Sequence, residues 1–263
     1  MAGSADLFAA LIELADDQLI LGHRLSEWSG RAPILEEDLA LSNLALDLIG
    51  GSRNIYTYAG LVEGKGRDED DLAYMRLERE YLNCLLVERG NDDFAQTMLR
   101  QLYFAALMQP YWQAALASND ETIRGIAGKA VKEMAYHVRH SAEWVIRLGD
   151  GTAQSAEKMQ AAVVEMHPFT EELFTMSEAA RACAKAGSLP DRESLRAEWS
   201  RTIASVFEQA LLTVPKVRFP QSGGRQGRHG EEMGHILAEL QYVQRTRPGL
   251  TWSVWQPMTG QHL

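Results

Sequence analysis

The stretch ETIRGIAGKAVKEMAYHVRHSAEWVIRLGDG (121–151) decides the fold class. Its residues Ile123, Ala127, Ala130, Met134, His137, Ser141, Trp144 and Leu148 fall alternately four and three apart. That spacing predicts one apolar face of a helix about eight turns long. Gly149-Asp150-Gly151 then supplies a stop.

The same period extends to both sides. Toward the N-terminus, Leu7, Leu11, Leu14, Gln18, Leu21, Leu25 and Trp28 form a stripe that Gly30 ends. Pro33 with Glu36, Glu37 and Asp38 opens the next helix, because proline suits a first turn and carboxylates suit the positive end of the dipole. Its stripe is Ile34, Leu41, Ala45, Leu48, Ile55 and Ala59, with Gly50-Gly51 as a bend. A third helix is predicted from about 70 to 88, with Leu72, Met75, Leu82 and Leu86 inward. Phe94, Met98, Gln101, Ala105, Met108, Trp112 and Ala115 mark a fourth, kinked at Pro110. Beyond 151, helices are expected over 154–186 (bent near Pro168), 191–214 and 231–247. Sustained two-residue alternation and Asn-Gly turns are missing, and no 30–45-residue repeat recurs. The expected architecture is all-α: an antiparallel helical bundle with additional C-terminal helices, in a single domain over 1–263.

Composition narrows the function classes. With 46% hydrophobic and 24% charged residues, the 263-residue chain reads as a soluble globular protein. Cys84 and Cys183 make neither a disulfide framework nor a zinc pattern, so a reducing cytoplasm is the expected location. The start MAGSADLFAALIELADD lacks the basic region of a signal peptide, and no run approaches a membrane span. A net charge of −10 argues against nucleic acid as a partner. Residues 215–230, PKVRFPQSGGRQGRHG, are the exception. They hold Lys216, Arg218, Arg225 and Arg228 and no acid, a +4 segment that leaves −14 on the rest of the chain. Two readings stand for this Gly-rich stretch: a loose loop contacting phosphates or an acidic partner, or a solvated connector.

Long helices with inward acids and histidines raise the question of a carboxylate-bridged di-iron centre. That chemistry uses a Glu from each of two helices and a Glu-x-x-His from each of two others. The first five helices contain no Glu-x-x-His. Tyr81 stands three residues after Glu78, and Tyr136 three after Glu133, where imidazoles are wanted. His137 comes one residue late, and at that spacing Glu133 is expected to pair with it on the helix. Glu232-Met233-Gly234-His235 is an isolated match, better read as acids in a first helical turn. His137-Val138-Arg139-His140 lacks the zinc-protease glutamate, and no nucleophile elbow or phosphate-loop motif occurs. The residues themselves therefore nominate no catalytic, cofactor-binding or metal-binding set. An alternative is a di-metal oxygenase built on an atypical site around Glu133 and His137.

Four blocks carry a resemblance. LGHRLSEWSGRAPILEEDLALSNLALDLIG (21–50), LLVERGNDDFAQTMLRQ (85–101), KAVKEMAYHVRHSAEWVIRLGDGT (129–152) and LAELQYVQRTRPG (237–249) resemble, in order, the C-subunit (PaaC) family of bacterial phenylacetyl-CoA epoxidases. The resemblance implies a ferritin-like fold that has lost its metal ligands. It implies a structural subunit paired with a catalytic A subunit that holds the di-iron centre and the CoA substrate. It further implies a small B subunit and a reductase carrying FAD and an iron–sulfur cluster. The whole uses NADPH and O2 to convert phenylacetyl-CoA to its ring-1,2-epoxide, and this subunit needs no cofactor. Trp28, Tyr56, Tyr58, Trp252 and Trp255 are the expected aromatic anchors of the partner interface.

Overall fold

The computed structural model describes residues 3–248. These residues form eleven α-helices, α1 Ser4–Ser26, α2 Leu35–Glu63, α3 Glu69–Tyr74, α4 Leu85–Glu88, α5 Phe94–Ala115, α6 Glu121–Gly149, α7 Ala153–Met166, α8 Glu178–Ala186, α9 Arg196–Gln209, α10 Glu231–Leu240 and α11 Tyr242–Thr246, with no strand among them. The all-α expectation therefore holds. Helix starts follow their caps: Asp93, Asp120, Thr152 and Ser177 accept the backbone N–H three residues on.

Helices α1, α2, α5 and α6 make the bundle. Ala15 lies against Ser52 and Gly22 against Ala45, so α1 and α2 run antiparallel. Phe94 stacks on Trp144 while Gln101 meets His137, which makes α5 and α6 antiparallel as well. The α6 stripe is inward as expected: Ile123, Ala127, Ala130, Met134, His137 and Ser141 are buried, and Trp144 and Leu148 are half-buried. Helix α5 passes through Pro110 without interruption. No helix of the described residues is long and apolar enough to cross a membrane.

Several expectations are corrected. The predicted helix over 70–88 breaks into α3, a 3-10 turn at Glu78–Glu80 and α4. The cause is tertiary: Asp16 takes the N–H of Leu82 (2.7 Å), and Asp17 takes that of Cys84 (2.8 Å), donors a helix would have used itself. Met75 consequently points outward and is exposed. The predicted 154–186 helix ends at Met166 and passes through two 3-10 turns around Pro168 before α8 starts. The helix expected over 191–214 runs only from 196 to 209, because Leu211 turns into the left-handed region at φ 56°. The last helix divides at Gln241, whose amide donates to Arg76 O and Tyr81 Oη. Ile34, placed on the α2 stripe, is instead an exposed residue just outside that helix.

Candidate functional site

Two polar constellations occupy the interior. The first lies midway along the bundle, where each of the four long helices offers polar groups at one level. Gln18 from α1 is buried, with its side-chain oxygen pressed against Gly51 of α2, where a Cβ would stand 2.3 Å away. Gln101 from α5 and His137 from α6 are fully buried and bonded to each other, Nε2 to Nδ1, at 3.0 Å. Asp47 of α2 closes the set at 3.3 Å from His137 Nε2. A carboxylate only accepts, so the imidazole proton sits on Nε2 and Nδ1 accepts from the Gln101 amide.

This arrangement corrects the expected Glu133–His137 pair. Glu133 instead bonds Lys129 Nζ at 2.7 Å, one turn back along α6. The neighbouring histidine, His140, is bonded to Glu37 at 2.9 Å. Tyr136 is exposed, whereas Tyr81 is buried and donates its hydroxyl to Ala73 O. Glu232 of the isolated Glu-x-x-His match reaches Arg24 at 2.6 Å, while His235 borders a surface groove with Arg24 and Glu239.

A di-iron centre needs four carboxylates and two imidazoles around one cavity. The mid-bundle level offers two carboxamides, one imidazole already in a hydrogen bond and one carboxylate. Gln18 Nε2 and Gln101 Oε1 are buried amide atoms without a partner among the described residues, and an amide nitrogen is no metal ligand. Among the described residues, no group of three or more His, Cys, Asp or Glu side chains is arranged to hold a metal ion. The residues do not fit the group that ferritin-like folds often carry.

The second constellation is one that the sequence reading missed. Three acids within five residues of α1 are buried, and each meets a buried arginine from a different distant segment. Glu13 pairs with Arg192 at 3.1 Å, Asp16 with Arg76, and Asp17 with Arg225 at 2.6 Å. Tyr56 donates to Asp16 as well, which makes this expected interface anchor a core residue instead. Trp28 is half-buried, donates to Thr97 Oγ1 at 3.1 Å and stacks edge-on against Phe94. Tyr58 is engaged too: it donates to Asp120 at 2.5 Å, and burial followed by that carboxylate pushes its pKa up to about 12. Trp252 and Trp255 lie outside the described residues.

Half of the basic 215–230 segment is thereby tied down. Besides Asp17, Arg225 donates to the carbonyls of Glu13 and Leu82. Buried Glu172 accepts from the N–H of Gly223 (2.7 Å), Arg225 (3.2 Å) and Leu85 (2.8 Å). His229 places Nδ1 2.7 Å from Glu88 and Nε2 2.9 Å from Tyr81 O. The loose-loop reading thus fails for 223–230 and is left only to exposed Lys216, Arg218 and Phe219.

His229 yields a pH prediction. Burial alone pulls its pKa down, but the hydrogen bond and charge of Glu88, with the Tyr81 carbonyl, outweigh that and leave it above the ordinary 6.5. Both ring nitrogens face acceptors, so the geometry suits the imidazolium. A raised folded pKa means the stabilisation is complete below pH 6.5 and fades as pH rises through the folded value. The stability gap between the native protein and His229→Gln, read from urea unfolding between pH 5.5 and about 9, is expected to shrink with rising pH. A gap independent of pH means a neutral ring.

With this geometry in place, comparison with known proteins assigns a family. The family described as phenylacetic acid catabolic protein matches residues 2–252. The chain belongs to that family. Among the phenylacetic acid catabolic proteins it is similar to the C subunit of 1,2-phenylacetyl-CoA epoxidase from Escherichia coli (strain K12). That relative is 43% identical to this chain over 246 residues, which is 94% of this chain and 99% of the relative. Membership accords with the ferritin-like bundle and spans every helix described above.

Proposed function

We propose that this chain is the C subunit of a multicomponent phenylacetyl-CoA 1,2-epoxidase in phenylacetate catabolism. In this reading it has no catalytic activity of its own, and it pairs with and stabilises a homologous A subunit that holds the di-iron centre and the thioester. A small B subunit and a reductase with FAD and an iron–sulfur cluster complete the system, which works in the cytoplasm. The observation that carries the reading is the mid-bundle level. Where a metal-bearing ferritin-like protein converges carboxylates, this chain converges Gln18, Gln101, His137 and the long-range contact of Asp47. The interior is instead committed to three ion pairs that hold its own segments together. The role of the Escherichia coli relative supports both the reaction and the place of this chain in the complex.

The test is purification of the chain alone and with its A subunit, after growth in iron-supplemented medium. Alone, it is expected to hold well below one iron per chain and to form no epoxide from phenylacetyl-CoA with NADPH, O2 and reductase. Together, the two subunits are expected to co-elute with about two irons per A subunit and to restore turnover. About two irons on this chain alone, or turnover without the A subunit, overturns the proposal.

A further inference from the structure

At one end of the bundle a cleft of about 300 Å³ opens between the entry to α2, the first turn of α5, the last turns of α6 and the start of α7. Its apolar surface includes Ile34, Ala95 and Leu148. Its wall is aromatic: Phe94 and Trp144 stand edge to face at 5.0 Å and 88°. They continue a series that begins with Trp28 on Phe94 at 5.7 Å and 86°. The guanidinium of Arg147 lies 4.8 Å from the centroid of the Trp144 ring and pins it.

The polar groups at the cleft are few and their states differ. Asp93 has a carboxylate oxygen committed to the Gln96 N–H at 2.8 Å as the cap of α5. The Ser155 hydroxyl is given to Thr152 O at 3.0 Å. The lysines in ion pairs among the described residues are Lys65 and Lys129, so Lys158 at the cleft has its charge unmatched there. The cleft therefore combines a half-open apolar space, an aromatic wall and one available cation. An orienting charge beside an apolar pocket is the usual grammar of a small-molecule site.

We propose that this cleft binds a small aromatic carboxylate, with its ring on the Phe94–Trp144 wall and its carboxylate at Lys158 Nζ. A ring adds edge-to-face geometry to two existing rings, a gain that a saturated ligand of equal size lacks. The volume suits one ring with a short acidic arm. The site lies apart from the mid-bundle polar level, so it stands whether or not this subunit is catalytic.

The experiment follows the Trp144 indole N–H in the ¹⁵N-labelled full chain, assigned with Trp144→Phe, during titration with phenylacetate, benzyl alcohol and cyclohexylacetate. Phenylacetate is expected to give a saturable shift, with each of the others binding about fivefold or more weakly. Lys158→Met is expected to weaken phenylacetate about tenfold and to leave benzyl alcohol unchanged. Leu148→Trp, which fills the cleft, is expected to remove the shift. No saturation by about 10 mM overturns the proposal, as does undiminished affinity in Lys158→Met or equal affinity for cyclohexylacetate. Because Lys158 is exposed, its variant keeps the test decisive even if Leu148→Trp does not fold.

Discussion

Replacing Asp17 with alanine is expected to remove about 3–5 kcal/mol of stability, a large share of the roughly 5–15 kcal/mol that a domain possesses. The loss has two parts. Arg225, buried, is left with a guanidinium charge whose remaining hydrogen bonds go to the carbonyls of Glu13 and Leu82. The Cys84 N–H, which Asp17 accepts at 2.8 Å, is orphaned with it. Urea unfolding followed by circular dichroism measures the change, as a lowered midpoint at similar slope. The double variant Asp17→Leu with Arg225→Met is expected to recover much of the loss, since removing both charges avoids the uncompensated one. A single-variant cost below about 1 kcal/mol would mean that water reaches Arg225.

The second large effect comes from the same seam, where the glycines of the 223–230 segment press backbone on backbone. A Cβ at Gly224 would stand 2.1 Å from Asn83 O and 3.1 Å from Leu85 N. At Gly227 it would stand 2.1 Å from Arg79 O, on a residue whose φ is +68°. Neither neighbour is a flexible side-chain tip that can swing aside. Gly227→Ala is expected to cost about 2–4 kcal/mol, from left-handed strain and overpacking together. Gly50→Ala supplies the contrast, since nothing lies within 4 Å of its added carbon and it sits inside α2. There the same chemical change is expected to stabilise by about 0.5–1 kcal/mol. Thermal unfolding of both variants should move in opposite directions, and a fall in both would refute the packing argument.

These two results bear on how much the sequence discloses. The bundle was readable because α2 and α6 bury mostly one class of residue at a helical period, and that class is visible without coordinates. Helix α1 hid its meaning by burying nearly everything from Ala10 to Leu25, acids included. Glu13, Asp16 and Asp17 look like a solvated face when written as a string. Their partners Arg192, Arg76 and Arg225 lie between the α-helices, and two of them, Arg76 and Arg192, stand in stretches that read as helical from the sequence. A single sequence offers one hint: acids at 13, 16 and 17 set among Leu11, Ile12, Leu14, Leu19, Ile20 and Leu21, on a helix with no polar side broad enough to hold them. The false pairing of Glu133 with His137 has a related cause. Spacing along one helix places two side chains within reach, but the next helix over decides which of them turns inward, and here Gln101 claimed the imidazole. The broken 70–88 helix is the same lesson in backbone form, since carboxylates from α1 took its donors.

The triple pairing on α1 also sets a timetable. Asp16 finds Arg76 60 residues later, Glu13 waits 179 residues for Arg192, and Asp17 waits 208 for Arg225. At roughly 5–20 residues per second, the ribosome delivers that last partner some 10–40 s after Asp17 has emerged. Through that interval α1 is a largely apolar helix with unmatched charge on the side it must bury. Hydration of Asp17 opposes early, wrong burial of the surrounding leucines, and the arrival of Arg225 removes that opposition. Burial of Asp17 is therefore compensated by its arginine only once nearly all of the described chain has been made.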